Sequence, residues 1–146
     1  MNKNIISFGI KASDYFELTI LRKEFPHSDN IYDGNWLQAN VVIQVGGVSA
    51  NYKAMFFSRE LKELNNNLKL MLRNSVLKVA FSPMEPWINF QIQREPNSNK
   101  FSVIGNAVDA LNNGNSIVFK MLLDEIQIVS ATNDIEKVLV AYPVIE

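Results

Sequence analysis

The chain's one histidine, His27, stands two residues before Asp29 in the stretch FPHSDNIYDGNW, where side-chain types come nearest to chemistry. A Ser-His-acid set would need His27 as its base, oriented by an acid such as Asp29. The segment around it is rich in turn residues, so the competing reading is a solvated loop histidine. His27, Asp29 and Asp33 match no recognised metal-ligand spacing. With no cysteine in the chain, thiolate zinc sites, cysteine nucleophiles and disulfides are excluded. Asp33, Glu85, Asp109 and Asp124 would serve hydrolysis only if the fold set two of them face to face, and acids near turns are more often solvated or capping. Gly46-Gly47 lies between two strand patterns instead of before a helix, which fits a hairpin turn and not a phosphate cradle. The expectation is a protein without catalysis, cofactor or metal.

Recognition is then the chemistry left to weigh, and it centres on Asp33, Asn35 and Trp36. A tryptophan opposite the cleaner apolar face of its strand can anchor a partner protein. It can equally cover a sheet edge, with Asp33 and Asn35 bonding the local backbone. Trp87, following the rigid Pro83-Met84-Glu85-Pro86 turn, reads as structural.

A β-rich frame must position these residues. Phe16, Leu18 and Ile20 alternate with Tyr15, Glu17 and Thr19, the period of a half-buried strand. From Trp36 to Val45, Leu37, Ala39, Val41, Ile43 and Val45 share one face while Trp36, Gln38, Asn40, Val42 and Gln44 share the other. Gly46-Gly47 supplies a tight turn, and Val48 to Phe57 resumes the alternation. At Ser58, read as an N-cap with Glu60 in the first turn, the period changes: Leu61, Leu64, Leu68, Met71 and Leu72 form a helical stripe.

Four further strand patterns follow, VLKVAFS, WINFQIQR, FSVIGNAV and SIVFKMLLD, separated by Pro- and Asn-rich turns. Asn133 with Glu136 three residues on resembles a capping box, and Ile135, Val138, Leu139 and Tyr142 continue a helical stripe toward Pro143. The order β-β-β-β-α-β-β-β-β-α predicts an α+β, mostly β fold. We expect an antiparallel curled or two-layer sheet of about eight strands, one long central helix covering a face, and a short C-terminal helix.

Composition sets the bounds. The 146 residues suit one domain, 1–146, able to bury about 70% of its unfolded surface without staples. A net charge of −1 gives no electrostatic footprint for nucleic acid. Residues 1–73 hold nine Lys/Arg against seven Asp/Glu and residues 74–146 five against eight, so the second half is the acidic one. The apolar patch from Ile5 to Phe8 is too short for a signal-peptide core or a membrane span, which leads to an expected cytoplasmic location without membrane contact.

Residues 24–52, EFPHSDNIYDGNWLQANVVIQVGGVSANY, also carry a family likeness. They resemble the Phe-Pro…Tyr/Trp-Asp-x-Asn-Trp-Leu…Gly-Gly…Tyr pattern of the WapI-type immunity proteins, which are paired with wall-associated contact-dependent toxins. MEPWINFQI (84–92) and VIGNAVDALNNGNSIVFKMLLDE (103–125) are similar to that family's Leu-Glu-Pro-Trp strand and Gly-x-Ala-x-Asp…Gly-Asn…Phe segment, in the same order. Two departures stand out: EIQIVSATND after Asp124, where a Gln-Thr-Tyr turn would lead into the last helix, and Gly34, where a side chain is common.

The resemblance implies a small cytoplasmic protein that binds and blocks the C-terminal toxin domain of a large surface protein. In that system the toxin is a tRNA-directed nuclease. Against a basic nuclease, acidic residues would steer association, and Asp124, Glu125, Asp134 and Glu136 form the candidate patch with Lys137 among them. Their competing reading is a solvated edge and an acidic helix start. The alternative function is a non-catalytic β-rich structural or small-ligand module.

Overall fold

A computed structural model describes residues 4–146. Eight strands and two helices follow one another as β1 (Ile5–Gly9), β2 (Tyr15–Lys23), β3 (Trp36–Val45), β4 (Val48–Phe57), α1 (Ser58–Leu72), β5 (Lys78–Phe81), β6 (Ile88–Arg94), β7 (Lys100–Val108), β8 (Ser116–Asp124) and α2 (Glu125–Ala141). The strands form two separate antiparallel sheets in simple sequence order, β1-β2-β3-β4 and β5-β6-β7-β8. Each half of the chain is thus a four-stranded meander followed by a helix. The helices cross over: α2 packs on β1 of the first sheet, α1 packs on β5 of the second, and the two helices pack on each other.

Alternation decides which face goes in. Phe8, Phe16, Leu18, Val41 and Ile43 of the first sheet and Phe90, Ile92, Val103 and Leu123 of the second are buried between the layers. Aromatic rings join the two sheets: Phe8 stacks on Phe16 at 4.7 Å, and Phe90 meets both edge-on at 5.3 and 5.1 Å. The Tyr52 hydroxyl on β4 adds a polar tie, donating to the Trp87 carbonyl at 2.5 Å. Burial, and secondarily the Asp109 charge, pushes the Tyr52 phenol well above its ordinary pKa. Gly46 takes φ +56° in the β3–β4 turn, which pairs Val45 with Val48 as the Gly-Gly dipeptide predicts.

Of the curled and two-layer arrangements expected, the two-layer one is found, as two four-stranded sheets. The last helix is not short, and that expectation needs correction, as do both helix caps. At 17 residues α2 exceeds the 15 of α1 and starts eight residues before Asn133, at Glu125. Its capping box is Asp124 with Gln127: the Asp124 carboxylate accepts the Gln127 N–H at 2.8 Å, and the Gln127 side chain accepts the Asp124 N–H at 2.9 Å. Asn133 and Glu136 therefore sit in mid-helix. At α1 the N-cap is Phe57, one residue before the expected Ser58, and its N–H is taken by Glu60 Oε1 at 2.8 Å.

Candidate partner-binding surface

The corner before β3 is built by side chains replacing water at the backbone. Asn30 accepts from the N–H groups of Tyr32 and Asp33 at 2.9 and 2.7 Å, setting up the 3-10 turn Asp33–Asn35. Asn35 is 1% exposed and uses its whole amide. Its Nδ2 donates to the carbonyls of Ile31 and Ile145 at 2.8 and 2.9 Å. Its Oδ1 accepts from the Ser58 hydroxyl at 3.0 Å and the Ile145 N–H at 2.8 Å. With both donors and both acceptor sites engaged internally, Asn35 is the joint between the turn, α1 and the C-terminal segment, the local-bonding alternative weighed for it from sequence. Gly34 is explained by the same joint, because a Cβ there would lie 2.6 Å from the Ile145 side chain and 2.8 Å from the Ser28 carbonyl.

Trp36 stays half-buried, with its ring stacked on Phe57 at 3.8 Å and 18° between planes. Above this stack the exposed Arg59 guanidinium lies 5.6 Å from the Phe57 ring and 5.8 Å from the Tyr32 ring, within cation–π range. Tyr32 is 63% exposed and Asp33 is also on the surface. Trp, Tyr and Arg are the residue types that dominate binding hot spots, and here the arginine is held in place before any partner arrives. Tyr32 lies in the same turn as Asp33 and was readable from sequence; Arg59 carried no local signal, since only the β3–β4 pairing of Trp36 with Phe57 brings it there.

The four acidic candidates do not make one patch. Asp124 is spent on capping α2. Asp134 points at β1, where its Oδ2 accepts the Ser7 N–H at 3.0 Å and so closes an edge-strand donor. Burial raises the Asp134 pKa, against the opposing effects of the Ser7 N–H and Lys137. Glu136 faces α1 and pairs with Lys69, whose hydrogen bond and charge lower its pKa, with a further bond from Asn65. Residues two apart on a helix project about 200° from each other, which is why Asp134 and Glu136 serve opposite neighbours. Glu125 alone among the four is exposed and uncommitted.

His27 is exposed, and no group of three or more His, Asp or Glu side chains able to hold a metal occurs among the described residues. Among the described residues no helix is long and apolar enough to cross a membrane.

A model of the WapI-like immunity protein family matches residues 7–143. No curated protein sequence matches the chain. Two solved structures align with most of it. The crystal structures of Trypanosoma bruciei MRP1/MRP2 align at TM-score 0.48 and 9% identity, covering 85% of this chain and 73% of that one. A guide-RNA-binding protein complex bound to a gRNA aligns at TM-score 0.49 and 8% identity, covering 88% of this chain and 79% of that one.

Proposed function

The chain belongs to the WapI-like immunity protein family, and from that premise we propose that it neutralises a cognate toxin domain by binding it, without catalysis of its own. The family match over residues 7–143 carries this reading, since it spans both sheets and both helices. The proposed partner is the C-terminal toxin domain, a nuclease, of a contact-dependent surface protein, met in the cytoplasm. Of the seven residues assigned to the contact from sequence, Asp33, Trp36 and Glu125 keep exposed or half-exposed surface free for it, joined by Tyr32 and Arg59. Asn35, Asp124, Asp134 and Glu136 act through the fold.

Co-purification with the toxin domain encoded immediately upstream, followed by a titration of affinity against salt, tests this. The expected result is a stable complex and protection of cells expressing the toxin. A folded protein that neither binds nor protects would overturn the reading and favour the small-ligand alternative, for which the groove beside β8 would be the first place to look.

A further inference from the structure

The outer faces of the two sheets are finished differently. On the first sheet the solvent-facing side chains satisfy one another: Arg22 donates to Gln38 at 2.6 Å, Gln38 to Glu24 at 2.8 Å, Asn40 to Asn51 at 3.0 Å, and Gln44 to Ser49 at 2.6 Å. That is the polar ladder expected of a sheet face left in water.

The second sheet turns apolar side chains outward. Ile104 on β7 is 53% exposed, and Val118 and Leu122 on β8 are 61% and 58% exposed. The register makes them one patch. Ile104 is paired directly with Lys120, so Val118 and Leu122 are its two diagonal neighbours on the same face. A groove of about 580 Å³ lies alongside, where Ile10, Ser13 and Asp14 of the β1–β2 loop approach Ile104, Lys120 and Leu122. Exposed apolar side chains scattered singly need no explanation, whereas three adjacent on one face offer a partner apolar area to cover.

Lys120 fixes what can cover it. Among the described residues no carboxylate lies within ion-pair distance of its ammonium. Asp14, in the same groove, is already accepting the Gly46 N–H at 2.8 Å. A lysine covered by a wholly apolar partner would be buried unpaired, which is strongly unfavourable, so charge complementarity favours an occupant that brings an acid. A second copy packed face to face would bring another lysine-centred face and not that acid.

We propose that the toxin domain docks on the outer face of β7 and β8, seating one of its carboxylates on Lys120 while apolar side chains cover Ile104, Val118 and Leu122. This deepens the toxin-binding reading and rests on it. It also redirects it: a cationic, apolar face does not complement a cationic RNA-binding cleft, so this contact falls on another part of the toxin.

The test compares affinities for the upstream-encoded toxin domain among the wild-type protein, Lys120→Glu, Leu122→Asp and the control Lys53→Glu. Lys53, exposed on β4, undergoes the same change in charge on the other sheet, so general electrostatic effects cancel. Lys120→Glu and Leu122→Asp should each weaken binding by about tenfold or more, and Lys53→Glu by less than about threefold. Overlaid melting curves establish folding; should Leu122→Asp fail to fold, Lys120→Glu carries the comparison alone. Wild-type binding with both β8 variants within threefold would overturn this docking face and leave the toxin reading standing, whereas absence of wild-type binding would overturn both. A wild-type homodimer by sedimentation that Leu122→Asp dissociates would show the face to be a self-contact and overturn the proposal as well.

Discussion

Asn35 holds Ile145 at both of its peptide groups, donating to its carbonyl at 2.9 Å and accepting from its N–H at 2.8 Å across 110 residues of sequence. The side-chain amide thereby imitates a neighbouring strand. Asn35→Ala would strand the fully buried Ser58 hydroxyl and the partly buried backbone groups of Ile31 and Ile145. With about 1–3 kcal/mol for each buried group left unpaired, partly relieved as the terminal segment loosens, a loss of about 2–4 kcal/mol is expected. Urea denaturation checks it. Asn35→Asp should be no milder, since a carboxylate keeps the acceptors but not the two donors and adds a buried charge.

Asp134 and Glu136, two residues apart on α2, should give stability opposite dependences on pH. Burial raises the folded pKa of Asp134, so the native state binds its proton more tightly than the unfolded chain does. Its contribution is then greatest at acid pH and declines as pH rises from below the unfolded value through the folded one. Lys69 lowers the folded pKa of Glu136, so that contribution is present above the unfolded value and is lost as pH falls through the folded one. Melting temperatures across roughly pH 3 to 7, where carboxylates titrate, should show Asp134→Asn gaining on the wild type as pH rises and Glu136→Gln losing on it. Parallel curves for the two variants would contradict these environments.

The strands were legible because their chemistry is local. Leu37, Ala39, Val41, Ile43 and Val45 all proved buried, and the Gly46-Gly47 turn joins them to β4. The stripe of α1 was legible for the same reason. The first two turns of α2 were not: Ile126 and Ile128 alternate with polar Gln127, and with Val129 and Thr132 they bring β-branched residues that disfavour helix. The Asp124-x-x-Gln127 box was the countervailing signal, and tertiary packing of Ile128, Ala131 and Ile135 decides the matter. At the corner, sequence located Asp33, Asn35 and Trp36 but not which was spent inside. Asn35 is bonded by Ser58 and Ile145, which only the folded chain brings near it.

Gly105 is predicted to be irreplaceable for a steric reason. It is paired with Phe119 across β7 and β8, and a Cβ built on it would lie 2.1 Å from the Phe119 ring. That ring covers the glycine backbone and also meets Phe16 at 5.3 Å, linking β8 to the first sheet. Gly105→Ala must therefore displace Phe119 from the inter-sheet cluster, for an expected cost of about 1–3 kcal/mol. Thermal unfolding checks it, and the double variant Gly105→Ala with Phe119→Leu should lose less than the two single changes combined, because the smaller side chain removes the clash.

Arg59 separates a contact role from a structural one at the corner. Its guanidinium is exposed and rests against Tyr32 and Phe57, so Arg59→Ala should change stability by no more than about 1 kcal/mol. Trp36→Ala is different, because it removes a half-buried ring stacked at 3.8 Å on Phe57 and should cost about 3 kcal/mol. Weakened toxin binding by a Trp36 variant would therefore mix folding with contact, whereas the arginine variant would not. If the corner touches the toxin, Arg59→Ala weakens binding by about tenfold at unchanged melting temperature and flattens its dependence on salt, because a charged contact has gone. An affinity and a salt slope both equal to the wild type's would remove the corner from the interface and leave the outer face of β7 and β8 as the docking surface to be tested by Lys120→Glu.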